Sequence, residues 1–584
     1  MLRKILYPLI LCILAYILYI NNDAKVIITG IAIFLIGMIF MEDGFKLFSG
    51  GILEKILSKA TNNIPKAIFT GFLSTSIIQS SSLISVIIIS FLSAGLISLS
   101  GAIGVIFGSN IGSTTTAWIV SSFGMEIKIA AFAFPMIIFG VIFKFSENKV
   151  YKGLGNVLLG LGFVFLGISY MKDGFDTLKD GIDLSQFAMK GSLGILVYIL
   201  IGIIATVVIQ SSAATMALII TALMTNQILY INALELAIGA NIGTTVTAVV
   251  AAISSNANGK RLAVAHFIFN IITAIIAIVF LYQLANMVDF LASKIAISED
   301  NYAMKLALFH TVFNVIGVLV VAPFTYKLET FLQTLFKDEK TSILKPLYLD
   351  DVVITMPDAA LEAIKNETIH LYDNSVEVIS HALYLHRHNY LGSHDISSVV
   401  KNSNTQIHID INDFYTNKIK SLYGDIIHFS ILAQENMDEN YKNKIYSYKL
   451  ASKDIVEAIK DIRDLHKNIS IYLKSENIYI KDEYNNLRIN IAKTINIIND
   501  LRNNKDDVEV LSNLEVLKED IKKLDDLRNN RIDTFIRENK ISTTMATSLI
   551  NDSAYAHNIS KKLIEVAKIL WIEDKQIQEL GEEL

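Results

Sequence analysis

Two apolar stretches of the chain, residues 64–95 and 192–228, are broken near their middles by uncharged polar clusters, Gln79-Ser80-Ser81-Ser82 and Gln210-Ser211-Ser212. Apolar text of this length belongs in a bilayer, where a polar or irregular break is tolerated only if protein or a wet cavity surrounds it. The two breaks are also copies of one another. A shift of 131 residues lays Gln79-Ser80-Ser81 on Gln210-Ser211-Ser212, and it lays residues 108–117 (Gly-Ser-Asn-Ile-Gly-Ser-Thr-Thr-Thr-Ala) on residues 239–248 (Gly-Ala-Asn-Ile-Gly-Thr-Thr-Val-Thr-Ala), seven of the ten pairs being identical. A shift of 130 aligns Asp43-Gly44-Phe45 with Asp173-Gly174-Phe175 and Gly37 with Gly167. A repeat of about 130 residues limits the fold more than any other feature of the chain.

Eight further apolar runs, at about residues 5–20, 26–41, 99–121, 128–145, 153–171, 232–253, 262–284 and 303–325, are long enough to cross a membrane. The expected fold is an all-α membrane protein of eight transmembrane helices plus two re-entrant hairpins. Each repeat, about residues 25–150 and 155–285, holds one span, one hairpin and two more spans. Three crossings is an odd number, so the second copy enters the membrane inverted, and the two hairpin tips approach a shared site near the midplane from opposite faces.

Loop charges agree with this count. Arg3, Lys4, Lys46, Lys55, Lys59, Lys66, Lys144, Lys149, Lys152, Lys260, Arg261 and Lys327 fall on one side if the hairpins return to the face they entered, while Asp173, Asp176, Asp180, Asp183, Glu299 and Asp300 fall on the other. Lys and Arg accumulate in cytoplasmic loops, so both termini are expected in the cytoplasm and the chain, multi-pass, in the cell membrane. The first apolar run follows Met1-Leu2-Arg3-Lys4 with no small-residue cleavage site, and reads as an anchor rather than a signal peptide. A net charge of −5 gives no basic excess to hold nucleic acid, and the single cysteine, Cys12, cannot form an internal disulfide.

Composition changes beyond Pro346 and Pro357. Only Gly392, Gly424 and Gly581 of the 30 glycines lie past residue 357, no proline follows, and charged and Asn residues alternate with Ile and Leu. A transmembrane domain over residues 1–335, a short linker near 333–356 and a soluble α-helical bundle over 350–584 close under the membrane are expected. Val510, Leu514, Leu517, Ile521 and Leu524 keep one apolar stripe on a helix face.

At the tips, Gln and Ser offer amide and hydroxyl hydrogen bonds, and each tip starts a helix. A helix N-terminus carries unpaired N–H groups and partial positive charge, so two of them facing each other can hold an oxyanion without Lys or Arg. The paired Gly-x-Asn-Ile-Gly stretches let a helix break, and Asn110, Thr114, Asn241 and Thr245 supply oxygens that suit a hard cation such as sodium. The spans hold few ionisable groups, Glu235, His266 and His310 among them, which favours sodium over a proton relay.

The paired Gln-Ser-Ser motifs, the paired Gly-x-Asn-Ile-Gly stretches and the inverted repeat resemble the type II sodium/phosphate cotransporter family over about residues 25–325. Ala360-Leu361-Glu362-Ala363 and residues 453–463 resemble the PhoU phosphate-regulatory bundle that bacterial members often carry. The resemblance implies sodium-coupled transport of inorganic phosphate rather than enzymatic catalysis, with Gln79, Ser80, Ser81, Ser82, Gln210, Ser211 and Ser212 lining the site, sodium as coupling ion and no organic cofactor. Its implied partners are phosphate, the lipid bilayer, a second copy of the chain as a homodimer and a regulatory partner of the helical domain. The second motif departs from the first in having Ala213 where Ser82 stands. Transport or export of another oxyanion, and a membrane phosphate sensor signalling through the helical domain, are the competing readings. No Gly-x-x-x-x-Gly-Lys-Ser/Thr string supports a primary pump.

Other polar residues have plainer explanations. His266 with Asn270 and His310 with Asn314, each pair four apart, suit interhelical hydrogen bonds. Glu235 suits a span end. Asp454, Glu457, Asp461 and Asp464 lie opposite Ile455, Ile459 and Ile462 and read as a solvated face, and His408, His428 and His466 are too scattered for a zinc motif.

Overall fold

A computed structural model describes residues 15–16, 18–49, 57, 61–124, 129–181, 189, 191–253, 255–336, 344–354, 356–393, 395–403, 405, 407, 410–435, 437–503, 516–519 and 530–572. These residues are helical nearly throughout, with no strand among them. The chain divides into two units, Met1–Asp338 and Glu339–Leu584.

The first unit contains α1 (Asn22–Ser49), α2 (Ile64–Ile78), α3 (Ser81–Ser93), α4 (Leu99–Gly112), α5 (Thr114–Gly124), α6 (Ile129–Lys144), α7 (Lys149–Gly181), α8 (Gly191–Ile209), α9 (Ser212–Met224), α10 (Tyr230–Ala252), α11 (Ala257–Val279), α12 (Leu281–Lys294), α13 (Tyr302–Val321) and α14 (Thr325–Leu335). By length and apolarity, seven described helical stretches can cross a membrane. Six coincide with expected spans. The seventh is Gly191–Ile209, expected as one arm of a hairpin and, at 19 residues, long enough to span by itself. The run expected at 128–145 forms a helix of only 16 residues, and most of the run at 5–20, Cys12 included, lies outside the described residues.

Glycine sets how these helices meet. α1 and α7 lie antiparallel along a seam of glycines seven residues apart. A Cβ on Gly37 would stand 2.7 Å from the Gly160 carbonyl oxygen, and one on Gly167 would stand 2.7 Å from the Gly30 carbonyl oxygen. The pairing is self-complementary at the repeat offset: Gly30 meets Gly167 as Gly160 meets Gly37, and Gly44 meets Val157 as Gly174 meets Ile27. The corresponding helices of the two repeats thus pack as a two-fold pair would.

The second glycine contact fixes the path of the chain. α2 packs on α4 with Gly71 against Val105, Gly108 against Ile68 and Gly112 against Phe72, so the residue numbers rise together and the helices are parallel. Two parallel neighbours joined in sequence require the helix between them to carry the chain back. α3, with 13 residues or about 20 Å of rise, does so. α8 packs on α10 through the same contacts shifted by 131, Gly202 on Leu236, Gly239 on Ile199 and Gly243 on Ile203, and α9, also of 13 residues, is the returning helix there.

The second unit is built on α15 (Pro357–Ala382), α16 (Glu439–Tyr472), α17 (Ile478–Asn503) and α18 (Thr543–Trp571). α15 and α18 both pack on α16, and α17 packs on α18. No described helix in this unit is long and apolar enough to cross a membrane. Ile455, Ile459 and Ile462 of α16 are fully buried, as the pattern predicts. The acidic row on the other face is met by bases: Lys562 reaches Glu457 (3.2 Å) and Asp461 (3.0 Å), and Lys467 reaches Asp464 (2.8 Å). His466 Nδ1 lies 2.8 Å from the Ala382 carbonyl oxygen. His408 and, in the expected stripe, Val510, Leu514, Ile521 and Leu524 lie outside the described residues. Arg488, fully buried, donates to Leu383 O (2.8 Å), Asn485 Oδ1 (2.8 Å) and Ser403 O (2.6 Å). Burial pulls its guanidinium down to about 10, so it stays charged at neutral pH.

Two outcomes follow from this packing. Gly37→Leu should lower thermal stability in detergent, by roughly 1–3 kcal/mol or more because the seam cannot open locally, whereas Ile36→Leu, at a side chain 45% exposed, should be silent in the same melting assay. Arg488→Ala leaves three carbonyl acceptors unpaired in the core and should destabilise the second unit by roughly 3 kcal/mol or more, read by denaturant unfolding.

Candidate functional site

Both breaks open on one cavity of about 300 Å³ within the first unit, at the small end of the range for ligand sites. The seven residues expected to bind an anion all line it: Gln79, Ser80, Ser81 and Ser82 from the first break, Gln210, Ser211 and Ser212 from the second. The two tips are built alike. α2 and α8 each end on a glutamine in the left-handed region, Gln79 at φ 61° and Gln210 at φ 57°. Each glutamine N–H donates back to a threonine carbonyl, Thr75 or Thr206, at 2.8 Å. The next serine is extended and caps the following helix: Ser80 Oγ accepts from the Leu83 N–H (3.3 Å) and Ser211 Oγ from the Ala214 N–H (3.2 Å). One helix thus ends and another begins within two residues. The first turns of α3 and α9, which carry N–H groups without intrahelical acceptors, form part of the wall.

The halves then diverge. Gln79 is buried, its amide clamped between Thr115 and Thr116: Nε2 donates to Thr115 Oγ1 (2.8 Å) and Oε1 accepts from Thr116 Oγ1 (2.8 Å). At the position equivalent to Thr115 stands Val246, which has no acceptor, and Gln210 is exposed to the cavity. Ala213, also in the wall, replaces Ser82. Thr75 donates to Ser109 Oγ (2.9 Å), but its counterpart Thr206 faces Ala240 at the equivalent position, and the buried Thr206 hydroxyl has no hydrogen-bond partner among the described residues.

Thr206 also lines the cavity, as do Ser113, Thr116 and Thr244 of the repeated stretches and Glu42, none of them among the residues expected to bind phosphate or sodium. Thr206 was visible as the match of Thr75 at the repeat offset. Glu42 was hidden because the apolar run stops at Met41. α1 nevertheless continues to Ser49 and carries Glu42 into the wall, where it is the one ionisable residue among the described residues.

The four residues expected to bind sodium lie outside the wall. Thr114 and Thr245 hydroxyls donate to Ile111 O (2.7 Å) and Ile242 O (2.8 Å), and Thr114 also accepts from Thr311. Asn110 donates to Ile106 O. Asn241 donates to Asn270 Oδ1 (3.2 Å) and Asn314 Oδ1 (3.4 Å), so both asparagines of the His-x-x-x-Asn pairs form interhelical bonds. His266 and His310 are buried nearby in sequence, and neither ring nitrogen of His266 has a partner among the described residues. Glu235, buried near the start of α10, accepts from Asn232 (3.0 Å).

Fold and cavity define a multi-pass helical membrane protein whose polar site lies between two interrupted helices. The chain belongs to the Na+/Pi-cotransporter family, whose model matches residues 33–173 and 184–325. It is 31% identical over 270 residues to "Uncharacterized protein YqeW" of Bacillus subtilis (strain 168), covering 46% of this chain and 86% of that one. It is also similar to two proteins named "Putative inorganic phosphate export protein YjbB". Identity is 26% over 272 residues for that of Salmonella typhimurium (45% of this chain, 48% of the relative) and 27% over 351 residues for that of Escherichia coli K12 (59% and 62%). The chain therefore spans less than two thirds of the length of either YjbB. No solved structure matches.

The left-handed backbone at the tip yields a discriminating pair of variants. Gln79→Gly should preserve the break while deleting the amide, whereas Gln79→Val, β-branched at positive φ, should cost about 1–3 kcal/mol and show as a lower melting temperature.

Proposed function

We propose that the chain carries inorganic phosphate across the cytoplasmic membrane coupled to sodium, binding the anion between the tips of two re-entrant hairpins in inverted repeats. The observation that carries this reading is the cavity wall. Two helix N-termini related by the repeat border it, it is rich in hydroxyl and amide groups, and among the described residues no Lys or Arg lines it. An oxyanion is then held by dipoles and neutral donors and can be released again, as transport requires. The self-complementary α1–α7 seam supports the inversion, and the parallel packing of α2 on α4 and α8 on α10 supports the hairpins. Family membership supports phosphate and sodium.

Sodium ligation by Asn110, Thr114, Asn241 and Thr245 is part of the proposal. The amide group gathered by Asn241, Asn270 and Asn314 is its best-formed element. Cytoplasmic termini follow from the loop charges, and a PhoU-like regulatory role is proposed for the second unit. A second reading, net export, is favoured by the name of the YjbB relatives.

Purified protein in liposomes, given radiolabelled phosphate and a sodium gradient of either direction, tests both readings. Sodium-driven flux, at least tenfold lower in the double variant Gln79→Ala with Gln210→Ala, is the expected result. Equal flux with potassium, or flux unaffected by the two substitutions, rejects the proposal, and the gradient that accelerates phosphate movement assigns direction.

A further inference from the structure

We propose that the two tips divide the work: the second holds the anion with the side chains of Gln210, Ser211 and Ser212, while Gln79 is a positioning residue, locked by Thr115 and Thr116, that fixes the first tip without donating to the anion. This deepens the transport reading above and rests on it for the identity of the anion.

The donors of Gln79 are spent inside the protein. A side-chain amide has two hydrogens to give. Gln79 Nε2 gives one to the Ser76 carbonyl oxygen and one to Thr115 Oγ1 (2.8 Å), while its Oε1 accepts from Thr116 Oγ1 (2.8 Å). The neighbours decide which way round the amide sits. A carbonyl can only accept, and the Thr115 hydroxyl has already given its hydrogen to the Gly112 carbonyl oxygen (2.7 Å), so both must face Nε2. The Gln79 backbone N–H is bound to Thr75 O (2.8 Å). What remains on Gln79 is a lone pair, which an oxyanion repels. Ser80 beside it donates to Glu42 Oε2 (3.3 Å). The first tip thus meets the cavity with its helix N-terminus, and its glutamine ties that tip to α5, which carries Thr115 and Thr116.

The second tip keeps its donors. Val246 stands where Thr115 does and offers no acceptor, and the Gln210 amide, exposed to the cavity, has no hydrogen-bond partner among the described residues. Ser211 Oγ accepts from the Ala214 N–H (3.2 Å) and retains its own hydrogen, and the Ser212 hydroxyl is unpaired among the described residues. Amide and hydroxyl hydrogens without acceptors therefore line one side of the cavity, where a charged acceptor makes stronger bonds than a neutral one.

Equilibrium binding of radiolabelled inorganic phosphate to the purified full-length protein at fixed sodium chloride, with the melting temperature read on the same samples, tests this division. Gln210→Ala should raise the Kd for phosphate by roughly tenfold or more without moving the melting temperature. Val246→Thr, which offers Gln210 the acceptor that Gln79 has, should weaken phosphate several-fold. Thr115→Val should lower the melting temperature while changing the Kd by less than about twofold, and Thr115→Ser, which keeps the accepting oxygen, should restore the melting temperature. Val246→Thr, a small change at a side chain 38% exposed, decides the matter if Thr115→Val does not fold. Phosphate weakened as much by Thr115→Val as by Gln210→Ala, or a Kd unmoved by Gln210→Ala and Val246→Thr, overturns the division and leaves the transport reading standing. The expected pattern in a protein that moves no phosphate in liposomes does the reverse, and a wild type that binds no phosphate overturns both.

Discussion

Backbone contact at glycine governs this structure. Where Gly108 meets the Ile68 carbonyl and Gly239 meets the Ile199 carbonyl, no side chain separates the helices, and a Cβ at either place would collide with the facing backbone. Such contact is available only to helices in one register, and in both halves the register is parallel. A parallel pair joined through a short intervening helix leaves that helix one course, back along the pair. The polar tips therefore result from packing far from the tips: once α2 and α4 are locked together, the chain must turn at Gln79, and once α8 and α10 are locked, it must turn at Gln210. In an apolar surrounding the turn has to satisfy its own backbone. A left-handed glutamine whose N–H reaches back four residues, followed by a serine that caps the next helix, does so within two residues.

Much of this was legible beforehand, for a physical reason. Apolar length and polar interruption are one-dimensional properties that the bilayer reads directly, and the repeat doubles each signal. The seven tip residues could thus be assigned to one site from text alone. What could not be read was the third dimension. The seam between α1 and α7 rests on glycines seven apart, which in a single helix look like ordinary membrane composition and acquire meaning only when the partner helix is known. Glu42 illustrates the limit of hydropathy. A carboxylate just past an apolar run looks like the end of a span, and only the continuation of α1 to Ser49 brings it to the cavity. Asn241 was recognisable as an oxygen donor expected to bind sodium, but its partners Asn270 and Asn314 are 29 and 73 residues away and were each paired in sequence with a histidine four residues before rather than with it.

The repeat also makes the differences informative. Two copies of one fold, related as α1 and α7 are related, would present identical tips to the cavity. Here the first tip has its glutamine clamped by Thr115 and Thr116 and has a carboxylate beside its serines. The second has an exposed glutamine, an alanine in place of the third serine, and a threonine hydroxyl without a partner. Every change on the second side removes a bond that would hold the tip rigid, and every feature of the first side fixes it. A rigid tip facing a tip with unspent hydrogen-bonding capacity is an arrangement in which the ligand itself completes the second half.

Charge decides what such a ligand must bring with it. Each helix N-terminus contributes the equivalent of roughly half a positive charge, so two of them offset about one negative charge. Glu42 is ion-paired with Lys46 at 2.9 Å and adds little net charge, and no lysine or arginine is among the described residues of the wall. A phosphate carrying between one and two negative charges at neutral pH would then be compensated only in part, and in a low-dielectric setting the remaining charge is costly. Small mobile cations entering with the anion remove the imbalance where a fixed lysine would also remove it but would hold the anion in every conformation. Under the proposed function, cations that travel with the anion would balance the charge that dipoles alone leave over.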